Sequence, residues 1–360
     1  MNLRARGSVI RIAALAGLLV AGAAGWLVDA RALLACWLAA WWWCAGILMG
    51  GLANVWLHNL TGGAWGEAIR APLLHAGRRV PLACLLLLPL LAGVELLYPW
   101  AAPGGTAHWR ELLSAPDFKL WWLSRGFFTV RALGYLALWS LLSWLARRPA
   151  LARSQGFAAL ALLAYGVSVS FAALDWIMSL QPEWRSSVFG WLAGSGQMLA
   201  GMALAIVLID RERCRKALPD LGNLLLMYVL LWAYMAYVQY LIIWGADLPN
   251  EIAWYVRRRT PLWTAVAWTL AAFHFAAPLL ILLSRRAKRA PRLLGLLALG
   301  LLAAHLLDCW WLVLPGAAPL SLHWLWMAPL LALGMGALLL PAPAPTLPHE
   351  KQTDEERAHA

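Results

Sequence analysis

The chain has 360 residues, 62% of them hydrophobic and only 13% charged, with a net charge of +12. Soluble domains carry about 25% charged residues, so this composition excludes an ordinary soluble enzyme and points to a protein built for a lipid bilayer. The basic excess would suit a nucleic-acid partner, but its distribution argues against one: most of the 29 basic residues cluster in the short segments between alternate apolar runs, from Arg4, Arg6 and Arg11 to Arg285, Arg286, Lys288 and Arg289, as the positive-inside rule requires.

A membrane span needs about 20 apolar residues. Ten segments qualify in chain order: 8–28, 32–53, 80–98, 121–146, 156–180, 187–209, 221–245, 261–284, 292–314 and 321–340. They predict an all-α polytopic fold that fills residues 1–340 as one transmembrane domain and leaves no room for a soluble one. Residues 341–360, Pro-Ala repeats followed by charged and small residues, read as a disordered cytoplasmic tail. The first segment, with Arg4 and Arg6 before it and small residues near Ala21–Gly25, has the outline of a signal peptide; retention as a first span is simpler, and it places both termini inside. Many of the 25 tryptophans close apolar runs, among them Trp26, Trp56, Trp100, Trp121, Trp184, Trp244 and Trp263, as in an interfacial belt.

Gly46 and Gly50 in the second segment, and Gly190, Gly194, Gln197 and Gly201 in the sixth, form small-residue stripes suited to close helix approach. The corner Asn59–Gly66 is glycine-rich but lacks the Lys-Ser/Thr of a phosphate loop; it predicts a tight turn and then a segment along the surface to Arg79. The loop 101–120 mixes charges of both signs and has room for a short interfacial helix. Arg257–Arg258–Arg259 is the one basic run that falls outside, partly balanced by Asp247 and Glu251.

Ionisable groups inside spans are costly and mark function or pairing. Glu95, Arg131 and Asp175 lie at similar depth on three consecutive antiparallel segments, which predicts one cluster. Tyr165, Ser168, Ala172, Asp175 and Ser179 follow a 3-4-3-4 spacing, one inward helical stripe. The cluster reads first as a structural ion pair that holds three helices in register, and second as a proton acceptor tuned by Arg131 and burial. His305 and Asp308, three apart, could relay protons or serve packing alone. Gln239 shares a face with Tyr228 and Trp232, and the tyrosines of that segment read as bundle packing. His274 precedes Pro278, which should kink its helix and free carbonyls nearby. His274 and His305 are placed so that a haem b between neighbouring helices is not excluded. The five cysteines form no CxxC or CxxCH, which argues against covalent haem, an iron–sulfur motif or structural zinc. No nucleophile elbow, HExxH or P-loop is present.

The run Leu174–Asp175–Trp176–Ile177–Met178–Ser179–Leu180–Gln181–Pro182–Glu183–Trp184 resembles a signature found in alternative complex III, a quinol:cytochrome c oxidoreductase. The signature belongs to one of its two ten-helix membrane subunits, the one often labelled quinone-binding although its sister is the usual candidate for quinol oxidation. Further blocks resemble that subunit in the same order: Asn59–Gly66, Leu97–Trp100, Phe127–Arg131, Asp220–Asn223, Gln239–Tyr240, Leu248–Ile252, His274–Phe275 with Pro278, and Leu307–Asp308 to Trp311. Together they cover roughly 45–315. The resemblance implies a ten-helix subunit of the polysulfide-reductase type, with two four-helix bundles plus peripheral helices, in a bacterial inner membrane. Its implied partners are a multihaem cytochrome, an iron–sulfur protein and a sister ten-helix subunit, with the quinol pool near the membrane domain. Haems and clusters sit on those partners, so no cofactor and no metal is expected on this chain. Polar half-channels for protons are implied at Glu95, Arg131 and Asp175, and at Gln239, His274, His305 and Asp308. The sequence departs from the family where an arginine is usual near His305 and a histidine near Glu95. A stand-alone proton-coupled transporter and a passive anchor are the alternatives.

Overall fold

A computed structural model of the chain describes residues 3–103, 116–318 and 321–341. Among them there is no strand. Seven helices are long and apolar enough to cross a membrane, or eight if the bent pair Ala64–Gly77 and Val80–Ala92 is one span; the chain is a multi-pass membrane protein. The expected tail at 342–360 and most of the loop 101–120 lie outside the described residues, although Pro116–Trp122 is a short helix.

The first two expected spans form one element, α1 (Leu3–Thr61), of 59 residues. At 1.5 Å per residue such a helix would run about 90 Å, some three times the hydrocarbon thickness. It is therefore broken at Asp29, whose backbone is extended (φ −161°, ψ 100°). The Asp29 carboxylate accepts the Ala32 N–H at 2.9 Å and so caps the second arm. The corner Gly62–Gly63, both at positive φ, turns the chain into α2 (Ala64–Gly77). Trp65, Ile69, Leu73 and Ala76 form its buried stripe, and Glu67 and His75 face outward, as expected for a surface segment.

The third expected span is not continuous. α3 (Val80–Ala92) breaks after Leu85, and a separate turn, Val94–Leu97, follows Gly93. Pro89 lacks the amide that would serve Leu85, and its ring crowds the preceding turn. Indoles from α1 take up exposed carbonyls: Trp41 donates to Ala83 at 2.6 Å and Trp37 to Leu86 at 2.7 Å. The remaining spans are α4 (Arg125–Leu145), α5 (Gln155–Trp176), α6 (Phe189–Leu208), α7 (Leu218–Ala246), α8 (Pro261–Leu283) and α9 (Pro291–Ala317), followed by the shorter α10 (Met327–Leu339). In α8 the turn ahead of Pro278 is widened: Ala271–Ala276 is π-helical, and the Ala277 N–H reaches the Ala272 carbonyl five residues back.

The second arm of α1 and α6 form the centre. Their small-residue stripes pack on each other: a Cβ on Gly201 would overlap the backbone of Gly50 and Gly51, and one on Gly50 would overlap the Gln197 carbonyl. Polar groups lock the crossing. Asn54 donates to the carbonyls of Gly50 (2.8 Å) and Met198 (3.0 Å) and accepts from the Tyr228 hydroxyl at 2.8 Å. Tyr165 donates to Gln197 Oε1 at 2.9 Å. Tryptophan also fills this core. Trp41, Trp42, Trp139 and Trp176 are fully buried in edge-on and stacked contacts. The interfacial belt is correspondingly smaller than expected: Trp26, Trp121 and Trp244 are exposed, but Trp56, Trp100, Trp184 and Trp263 are in the core.

Gly201→Leu is expected to destabilise the protein by about 1–3 kcal/mol or more, the range for overpacking a tight contact. Gly166→Leu, at a position with nothing within 4 Å, should change little. Thermal unfolding of the two purified variants in detergent checks this.

Candidate functional site

Two of the three charges expected to meet do so. Asp175, near the end of α5, is 1% exposed. Arg131 of α4 holds it bidentately, Nε to Oδ2 and Nη2 to Oδ1, both at 2.9 Å. Tyr135 donates to Oδ2 and Trp122 Nε1 to Oδ1, again at 2.9 Å. Arg131 also donates to the Trp122 carbonyl at 2.7 Å and lies 4.0 Å over the Trp122 ring and 4.4 Å from the Phe127 ring. Each carboxylate oxygen thus accepts two hydrogen bonds, which fills its acceptor capacity. Glu95 is not part of this cluster. It is half exposed and pairs with Arg125, because the breaks in α3 at Pro89 and Gly93 turn it away from α5.

The stripe on α5 faces inward as expected: Tyr165, Ser168, Ala172, Asp175 and Ser179 are all buried. Trp139 donates to the Ser168 hydroxyl at 2.9 Å, and Ser179 donates to the Asp175 carbonyl. From the broken third span, Tyr98 donates to the Trp176 carbonyl at 2.9 Å. The geometry is that of a clamp joining α4, α5 and the short helix Pro116–Trp122.

The second cluster is built differently. Asp308 of α9 accepts from Trp232 Nε1 of α7 at 3.2 Å through Oδ2. His305 Nδ1 lies 3.5 Å from the same oxygen without hydrogen-bond geometry. Gly196 of α6 makes room for it, since a Cβ there would stand 2.9 Å from the His305 ring. His274, carried on the π turn of α8, is fully buried, its ring 5.9 Å from His305 and nearly parallel, with Trp232 edge-on at 4.1 Å. Neither of its nitrogens has a hydrogen-bond partner. Buried polar groups in that state are rare in folded proteins. Among the described residues no group of three or more His, Cys, Asp or Glu is placed to hold a metal ion.

This cluster borders a groove of about 890 Å³ between α7, α8 and α9. Its floor includes Trp232, Gln239 and Asp308, and its walls are aromatic, with Tyr234, Tyr237, Tyr240, Trp254 and Trp268. Gln239 Oε1 accepts from Ser186 at 3.2 Å. Of the tyrosines read as bundle packing, only Tyr228 is in the core; Tyr234, Tyr237 and Tyr240 are exposed on the groove wall. The groove was not legible in the sequence. Nor was Arg258, which is 2% exposed and donates to the carbonyls of Trp254, Trp311 and Leu312 at 2.7–3.0 Å, with the Trp254 ring 3.4 Å beneath it. The i, i+4 spacing of Trp254 and Arg258 was its only signal.

Asp175→Asn should cost about 3–5 kcal/mol, the usual loss when one partner of a buried ion pair goes, while Arg131→Met with Asp175→Leu should recover part of it; a double-mutant cycle of thermal stabilities checks the pairing. His274→Leu is expected to leave stability unchanged or raise it by about 1 kcal/mol, because two unsatisfied nitrogens leave the core.

No family model matches the sequence, and no curated protein matches it.

Proposed function

We propose that this chain is a membrane subunit of a quinol:cytochrome c oxidoreductase of the alternative complex III type, and that it takes up protons at Asp308 and His305. Counting the two arms of α1 separately, the broken α3 as one span, and adding α4 to α10 gives ten spans, which we take as two four-helix bundles with peripheral helices. Both termini are cytoplasmic in this reading, and the membrane is a bacterial inner membrane.

The observation that carries it is the groove. A flat apolar ring with an isoprenoid tail fits aromatic walls open to the bilayer, and the ring hydroxyl needs a polar floor, which Trp232, Gln239 and Asp308 supply. Quinol oxidation releases two electrons and two protons. In this reading the electrons leave through haems and clusters on partner subunits, while Asp308 at the floor accepts one proton and His305 behind it the other. The ordered blocks that resemble the alternative complex III subunit support the same assignment, since Gln239, His274 and Asp308 all lie within them. Asp175 has a different part. With its acceptor positions filled, it holds the helices in register instead of carrying protons.

A second reading, a proton-coupled transporter, is favoured by one observation: in a ten-span count the two irregular spans, α3 with its breaks and α8 with its π turn, are third in each half, as in folds with internal repeats. Trp37 and Trp41 donate to carbonyls at the α3 break, which weakens it as a ligand site.

A tagged chain solubilised from native membranes in mild detergent should bring c-type haem absorbance, an iron–sulfur protein and a second ten-helix subunit. Purification of the chain alone would overturn the assignment. In the assembled complex Asp308→Asn should lower quinol:cytochrome c turnover by about 100-fold, as for loss of a proton acceptor; unchanged turnover and unchanged proton release per electron would sink the role of Asp308.

A further inference from the structure

The run Arg257–Arg258–Arg259 is the basic cluster that the positive-inside pattern leaves over, and neither polar cluster uses it. In the fold its members separate. Arg258 turns into the core, as described. Arg257 stays at the surface, where its Nη2 donates to Glu183 Oε1 at 2.8 Å. Beside it opens a pocket of about 430 Å³, lined by Arg31, Arg257, Thr260, Trp263 and residues 315–318. Three membrane elements begin or end there: the second arm of α1 starts just past Asp29, α8 starts after Thr260, and α9 stops at Ala317. Span ends mark the level of the lipid headgroups.

The residues that line the pocket include two cations and no acid. Arg31 and Arg257 come from elements far apart in sequence and face the same space. Arg31 makes no ion pair among the described residues. Of the two nearby acids, Asp29 caps the Ala32 amide and Glu183 is shared with Arg257. Thr260 is exposed at the N-cap of α8, and its side chain makes no capping bond. The first-turn amides behind it lack intrahelical acceptors and add the positive end of the helix dipole. The rest of the lining is apolar, from Trp263 to Pro315 and Ala318, and the adjoining helix surfaces carry exposed Leu27, Val28 and Leu262. A small inorganic anion has no use for such walls. An acylated phosphate does, because its chains can run down them.

We propose that this pocket binds the phosphate of an anionic membrane lipid, held between Arg31 and Arg257 with the Thr260 hydroxyl and the α8 N-terminus behind it. Basic pockets between membrane helices bind anionic head groups on the cytoplasmic side, and the same chemistry would serve here at the outer span ends. The site uses neither the aromatic groove nor its acids, so it stands or falls apart from the quinol assignment.

Native mass spectrometry of the full-length protein in detergent tests it, with phosphatidylglycerol, phosphatidylcholine or inorganic phosphate added in turn. Phosphatidylglycerol adducts should survive delipidation that strips phosphatidylcholine. Arg31→Gln with Arg257→Gln should weaken phosphatidylglycerol binding about tenfold, and Arg31→Lys with Arg257→Lys should keep most of it. Equal retention of the two lipids by the unmodified protein overturns the proposal without recourse to any variant. So does unchanged phosphatidylglycerol binding in the glutamine pair. Inorganic phosphate that binds and is not displaced by phosphatidylglycerol would make this a free-anion site and overturn the lipid assignment.

Discussion

The fold depends on one contact, the crossing of the second arm of α1 with α6, where backbone meets backbone at Gly50, Gly51 and Gly201. In hydrocarbon no hydrophobic force draws one apolar helix to another; close packing and hydrogen bonds must do it. Glycine provides the approach, and Asn54 then reaches the Met198 carbonyl across the gap. The same approach sets the depth at which α6 presents Gly196 to His305 and Gln197 to Tyr165. The acid–histidine cluster therefore inherits its geometry from a contact made by residues with no side chains.

The two buried acids show how different fates follow from different neighbours. Asp175 receives four donors from Arg131, Tyr135 and Trp122, and its charge is matched by a guanidinium that itself lies against the Trp122 and Phe127 rings. Such a group is costly to alter and has little left to exchange. Asp308 has an indole donor and an imidazole at 3.5 Å, borders open space, and lies near histidine nitrogens that nothing satisfies. The first is saturated, while the second keeps acceptor capacity free, as the proposed proton role needs.

Much of this could be read from the letters because a membrane enforces simple rules. Apolar runs had to be helices, the 3-4-3-4 stripe of α5 had to face inward, and glycines four apart marked the central crossing. Arg131 found Asp175 because both lie on unbroken helices, where depth can be counted. The same counting failed for Glu95, since Pro89 and Gly93 interrupt α3 and turn it outward. It also missed Arg258, whose partners are backbone carbonyls that no residue pattern announces. The groove was hidden for a third reason: its walls come from α7, α8, α9 and the short helix Pro249–Val256, and their arrangement is a tertiary fact.

The π-helical turn at Ala271–Ala276 has a consequence for the phase of α8. A π turn takes in one residue more than an α turn, and one residue is about 100° of rotation. The two halves of α8 are thus out of step, and no single helical wheel describes both. Ahead of the turn Trp268 points outward to the groove; within it Phe273 is exposed while His274 is buried. Loss of one residue from the turn would let α8 close into a plain α-helix and would swing Pro261–Leu270 by about a quarter of a revolution, carrying Trp268 off the groove wall. The shape of the groove rests on the presence of that single extra residue as much as on the identity of any side chain lining it.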